Sequence, residues 1–275
     1  MLGENGLSHS ELLEVTRRMR RNIIKMTHRA KGGHPGGCLS ATDLLAVLYM
    51  KVLRLDPRNP HWEKRDFFFL SKGHAVPALY AVLSERGFIP EEELLTFRET
   101  EGRLPAYPSC EATPGIDMAS GSLGQGLSIA NGAALAAKLN GSEQRAYVML
   151  GDGELHEGQI WEAMLTSAHY KLDNVCAIVD YNKLQLDGRL DEVKSLGDLQ
   201  GKWASFGWNV LEINGHDLDQ IEEAFAQADE TQGCPSVIIA HTIKGKGISF
   251  MEDEVGWHAA APSDEELAIA LKELS

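Results

Sequence analysis

The chain has 275 residues, 43% hydrophobic and 24% charged, and its 40 acidic against 26 basic side chains give a net charge of −14. That length buries a sizeable core, as one large α/β domain or two small ones, and the acidic balance excludes a general nucleic-acid binder, which needs a basic surface. Cys38, Cys110, Cys176 and Cys234 lie far apart without zinc-ligand spacing, no stretch has the length of a membrane span, and the N-terminus carries no apolar signal core. A chain in the reducing cytoplasm is therefore expected, with neither nucleic acid nor membrane as partner.

In chain order, "SHSE" (Ser8 to Glu11) has capping-box spacing and predicts a helix to about Arg29. Leu12, Leu13, Met19, Ile23, Ile24 and Met26 form its apolar face, which leaves the arginines of "RRMRR" as its solvated side. A glycine-rich loop, "KGGHPGG", precedes a second apolar helix, "ATDLLAVLYMKVL". "DFFFLS" (66–71) reads as a short buried strand and "AVPALYAVL" as the start of a helix. Residues 90–120, with Pro105, Pro108 and Pro114, read as loop. Apolar strands follow at 146–150, 175–180, 208–213 and 236–240, alternating with helical stretches near 157–170, 194–205 and 217–229. "SDEELAIALKEL" ends the chain as a capped helix from Ser263. Such alternation predicts an α/β fold, a parallel sheet with helices on both faces. There is no internal repeat or linker, so residues 1–275 are expected to form a single domain.

Ligands of such sheets sit beyond the carboxyl ends of the strands. Polar, glycine-rich turns fall there: "SKGH", "GDGE", "DYNK" and "HTIKGKG". Asp152, between two glycines, is either a helix cap or a cation ligand. Asn182, at the end of the next strand, is either a turn residue or the amide oxygen of the same site. A carboxylate, an amide oxygen and a backbone carbonyl make a hard-oxygen set suited to Mg²⁺ or Ca²⁺, completed by phosphate oxygens and water. Glycines 121, 124 and 126 open a small-residue helix whose free N–H groups can meet a phosphate, or whose glycines and alanines serve close packing. His34, His74 and His258 all sit in glycine- or alanine-rich loops, where an imidazole can donate a hydrogen bond and relay a proton.

With these residues assembled, the chain resembles the thiamine-diphosphate-binding half of a transketolase. The matching stretches, in order, are "GGHPGG", "LSKGHAVPALYAVL", "GSLGQGLSIANGAALA", "GDGELHEGQIWEA", "VDYNKLQLDG" and "HTIKGKG", then His258. The resemblance implies the thiamine-diphosphate-binding fold and transfer of a two-carbon ketol group from a ketose to an aldose phosphate. It implies that Asp152, Asn182 and the Leu184 carbonyl bind Mg²⁺ (Ca²⁺ or Mn²⁺ as alternatives). Gly121, Leu123, Gly153 and Ile243 would line the thiamine diphosphate, and Lys244, His74 and His258 would approach it. His34, His74 and His258 would face the reacting centre, with His34, Tyr107 and His258 towards the sugar. Glu157 and Glu162 would lie at a subunit interface. Glu154 has no implied role beyond favouring a helix N-terminus.

The resemblance covers roughly residues 10 to 262 and leaves no room for a pyrimidine-binding or C-terminal domain. A second subunit carrying both is the expected partner, in an α2β2 assembly. Tyr107 in "LPAYPS" departs from the family's "GHPE"-like loop histidine, which puts the usual donor sugar in question. The rival readings are a deoxyxylulose-phosphate-synthase-like or 2-oxo acid dehydrogenase-like enzyme, a metal-dependent phosphohydrolase using Asp152, and a non-catalytic paralogue.

Overall fold

The computed structural model describes residues 7–275, so the first six residues of the expected domain and of the stretch without a signal core lie outside the described residues. Five strands form one sheet: β1 (Phe67–Leu70), β2 (Ala146–Gly151), β3 (Val175–Tyr181), β4 (Asn209–Asn214) and β5 (Ser236–His241). They are ordered β1-β2-β3-β5-β4 and every pairing is parallel. The strands β2, β3 and β5 are apolar runs buried on both faces, as a helix-covered parallel sheet requires, while the edge strand β4 is partly exposed.

Alternate strand residues feed two separate cores. Phe68, Leu70, Tyr147, Met149 and Ile178 pack with α1 (His9–Arg29), α2 (Pro35–Val47), α3 (Val76–Arg86) and α8 (Leu218–Glu230). Phe69, Val148, Leu150, Val179 and Ile239 pack on the opposite face with α4 (Gly126–Leu139), α5 (Gly158–His169) and α7 (Leu199–Ser205). Between them in the chain lies the short α6 (Leu190–Lys194), and α9 (Asp264–Glu273) closes it against α1. Both expected capping boxes, Ser8 with Glu11 and Ser263 with Glu266, are formed.

Four local expectations are corrected. Helix α2 starts inside "GGHPGG", because Pro35 at its first position presets the helical φ and every residue of the helix is buried. Its continuation, Leu48–Val52, is a π-helical turn. The stretch expected as one helix over 194–205 is broken between α6 and α7, where Gly197 takes φ +58° and Asp198 caps α7 through the Gly201 N–H. On α1, Leu13 is exposed, while Arg20 is buried against Asp43 and Arg21 donates to the Leu271 carbonyl of α9 at 3.0 Å. Only part of the basic run is solvated.

All four cysteines are free thiols. No helix of the described residues is long and apolar enough to cross a membrane.

Candidate active site

Four strand ends meet in one cavity of about 300 Å³ at the carboxyl edge of the sheet. Lys72 and His74 enter from the turn after β1, and Asp152, Gly153 and Glu154 from the turn after β2. Asn182, Leu184 and Gln185 follow β3, and Lys244 follows β5. His34 caps the start of α2, and Tyr107, Gly121 and Leu123 come from the long loop before α4. His258 closes the far side. Ile243 does not line the cavity; it is 36% exposed, and its backbone N–H is taken by His216. Glu157 and Glu162 are exposed on α5 and its cap, outside the cavity.

A larger hollow, about 530 Å³, opens beside the start of β1. Its charged pair, Arg65 and Asp117, is closed on itself by an ion pair. The three histidines, Asp152 and Lys244 all line the smaller cavity.

The three histidines form a compact triangle. Ring centroids are 5.1 Å apart for His34 and His74, 5.6 Å for His34 and His258, and 5.4 Å for His74 and His258. Burial lowers the pKa of each ring, and neighbouring cations add to it: Arg98 at His34, Lys72 at His74, and Lys244 at His258. His258 is pushed down to about 3 and His74 well below the usual imidazole range, so both are neutral at pH 7. The Lys244 ammonium donates to His258 Nδ1 at 2.9 Å, which leaves the His258 proton on Nε2. Lys244 is itself buried, and burial followed by Lys72 brings its pKa down to about 8.

Asp152 is 3% exposed; burial and then the charge of Asp180 push its pKa up to about 6. Its Oδ1 accepts the Gly153 N–H at 2.7 Å and its Oδ2 the Lys183 N–H at 2.5 Å. These bonds aim the carboxylate across the gap between the β2 and β3 ends. Asn182 Oδ1 accepts the Leu184 N–H at 3.1 Å and keeps a second lone pair, and the Leu184 carbonyl already attracts Lys244 Nζ at 3.2 Å. A carboxylate held by burial in want of a cation, beside an amide oxygen and a carbonyl that draws one, fits a hard divalent ion. Among the described residues no three His, Cys, Asp or Glu side chains converge as a self-sufficient metal site, so such an ion needs ligand oxygens from elsewhere. Gln185 Nε2 is buried without a hydrogen-bond partner in the same cavity, a donor left for a bound anion.

Sequence reasoning missed two buried groups here. Glu154, 3% exposed, accepts the Gly124 N–H at 2.8 Å, the Gly151 N–H at 2.9 Å and the Ser71 hydroxyl. Ser71 Oγ in turn accepts the Gly126 N–H at 3.1 Å. Of the amides around the start of α4, where either a phosphate or close packing was expected, those of Gly124 and Gly126 are thus taken from within. Lys72 is 1% exposed and pairs with the fully buried Asp180, which also accepts Ser40 Oγ at 2.6 Å and the Thr242 hydroxyl. Burial opposes ionisation of Asp180, but Lys72 outweighs it and holds the carboxyl below the ordinary range. Asp180 is therefore not a free second carboxylate for a two-metal phosphohydrolase. The one sequence signal for Lys72 was its place at a strand end beside His74.

Residues 10–275 match the family described as transketolase, thiamine diphosphate binding domain. The chain belongs to the transketolase family. Its fold superposes on a transketolase crystal structure from Campylobacter jejuni with a TM-score of 0.92 at 32% identity, covering 98% of this chain and 43% of that one. It is 42% identical to one of the subunits of the apulose-4-phosphate transketolase of Phocaeicola vulgatus, over 96% of this chain and 94% of that protein. It is 46% identical to SqwG, a 6-deoxy-6-sulfo-D-fructose transketolase component from a Clostridium species, over 88% of each. The transketolase reaction is thiamine-diphosphate-dependent ketol transfer, and the expectation drawn from the motifs agrees with it.

Proposed function

We propose that this chain is the diphosphate-binding subunit of a two-chain transketolase, working with Mg²⁺ and a partner subunit that carries the pyrimidine-binding and C-terminal domains. The convergence of Asp152, Asn182 and the Leu184 carbonyl with three neutral imidazoles in one cavity carries the reading. Relatives named as transketolase subunits, aligned over nearly their whole length, support the division into two chains. Thiamine diphosphate, when bound, supplies the electron sink for breaking and remaking a carbon–carbon bond. Asp152, Asn182 and the Leu184 carbonyl would hold the ion that grips its diphosphate, with Lys244 and Gln185 donating to the phosphate oxygens. Gly153 and Leu123 would border the cofactor. His258, with its proton on Nε2, donates towards the sugar, and neutral His34 and His74 accept or pass protons beside it. Glu157 and Glu162, exposed on one side of α5, suit the interface of an α2β2 assembly. Four unpaired thiols suit the reducing cytoplasm.

The test is turnover of a ketose donor and an aldose acceptor by the chain co-purified with whatever accompanies it. Activity is expected from the complex, without CO₂ release. Full activity of the isolated chain with cofactor and Mg²⁺ would contradict the division of labour.

Tyr107 is the proposed donor selector. It is 46% exposed, and its ring lies against Gly121, where a Cβ would sit 3.4 Å from Tyr107 Cδ1. Gly121 takes φ +152°, so a side chain there is strained. A phenol in this place can bond a hydroxyl but does not titrate near pH 7. Tyr107→His is expected to shift the kcat/KM ratio between two ketose donors by about tenfold. An unchanged ratio would remove Tyr107 from substrate selection.

A further inference from the structure

The turn after β4, Asn214-Gly215-His216-Asp217, contributes nothing to the cavity wall, because β4 is the edge strand beyond β5. It instead supports the turn after β5 from behind. The His216 side chain is 11% exposed; its Nδ1 lies 2.7 Å from Asp43 Oδ2, and its Nε2 accepts the Ile243 N–H at 2.8 Å. A backbone amide only donates, so Nε2 is unprotonated and the imidazole proton sits on Nδ1, donated to Asp43.

Asp43, 5% exposed on α2, also receives Arg20 Nη2 from α1 at 2.6 Å. Arg20 Nε donates to the Lys246 carbonyl at 3.1 Å. One buried carboxylate is thus linked through two different side chains to Ile243 and Lys246, the residues on either side of Lys244 and Gly245. Burial opposes the charge on Asp43, but Arg20 and His216 outweigh it and keep the carboxyl below its ordinary range. Close approach makes the grip possible. At Gly247, φ +93°, a Cβ would meet Arg20 Cδ at 3.0 Å, and at Gly215 a Cβ would meet Thr242 Cγ2 at 2.5 Å.

We infer that Arg20, Asp43 and His216 are positioning residues that clamp the Ile243–Lys246 turn and so set the Lys244 ammonium for the cofactor diphosphate. The inference rests on the role proposed for Lys244 above. None of the three touches the cavity, so their effect falls on cofactor affinity rather than on the chemical step.

The test compares His216→Leu, which removes the acceptor, with His216→Gln, whose amide oxygen can replace Nε2. In the co-purified complex, His216→Leu is expected to weaken thiamine diphosphate binding with Mg²⁺ by about tenfold in calorimetry, the scale of a lost supporting contact. His216→Gln should recover most of it, and kcat at saturating cofactor should stay within about twofold in both. Amide exchange at Ile243 should accelerate in the leucine variant and not in the glutamine one. ¹⁵N spectra of the unmodified protein should show the Nδ1–H tautomer of His216. If His216→Leu does not fold, Arg20→Lys, which keeps a charge beside Asp43 without the fork to Lys246, carries the affinity test. An Nε2–H tautomer, or unchanged Ile243 exchange, would overturn the clamp itself. Faster exchange with unchanged affinity would overturn its role in cofactor binding. Failure of the unmodified complex to bind thiamine diphosphate would overturn the proposed function and this role with it, whereas the exchange and tautomer results read the clamp independently.

Discussion

Asp152→Ala is expected to lower Mg²⁺-dependent affinity for thiamine diphosphate by more than about 100-fold, beyond what loss of an outer supporting partner costs. The carboxylate is the only charged member of the proposed oxygen set, and neither Asn182 nor a carbonyl can replace its charge. The same affinity in the unmodified protein should depend on pH. The ionised carboxyl binds the ion, and its pKa without metal is raised to about 6. Affinity is therefore full above that value and declines as pH falls through it, because a proton competes with the ion. Folding should suffer little from the substitution. A carboxyl whose pKa is raised in the folded state disfavours folding when ionised at pH 7, so its removal takes away a penalty along with two hydrogen bonds. Calorimetry that finds unaltered binding in Asp152→Ala would refute the assignment.

Lys72→Met is expected to do the reverse, harming stability first. It leaves Asp180 fully buried with only the Ser40 and Thr242 hydroxyls as partners besides the distant Asn182 amide at 3.5 Å. Removing one member of a buried ion pair costs about 3–5 kcal/mol. For a chain of this size that lowers the melting midpoint by about 10 °C. Lys72→Met with Asp180→Asn should recover a large part of the loss, since the uncompensated charge is gone. A midpoint within about 2 °C of the unmodified protein would show that the pair is not what holds the β1 and β3 ends together. His74 offers a second reading of the same change: burial and then Lys72 depress its pKa, so removing the ammonium should move it upward.

These two residues differ in how far the sequence revealed them. Asp152 lies between glycines immediately after an apolar run, a pattern visible in ten residues. Lys72 shows only its place at a strand end and nothing of its pairing, because its partner is 108 residues away. Glu154 shows the same contrast. It looks like an acid near a helix start, and it does lie in the first turn of a short 3-10 helix, but it also holds the loop leading into α4 through the Gly124 N–H thirty positions earlier. The helix expected over 194–205 failed for a different reason. Apolar spacing does not reveal that Gly197 will adopt a positive φ and stop one helix before Asp198 caps the next.

From the sequence by itself came the parallel α/β class, the polar strand-end turns, the histidines and the proposed cation-binding set, because apolar periodicity and glycine-flanked polar turns are local signals. Tertiary structure alone decided which buried charges are paired, as with Lys72 and Asp180 or Arg20, Asp43 and His216. It also decided that the Gly124 and Gly126 amides are used internally. Those outcomes depend on distances between side chains separated by 23 to 173 positions, as for Asp43 with Arg20 and with His216. Burial strengthens such contacts and makes an unpartnered charge costly, yet a linear pattern does not encode which groups come within reach.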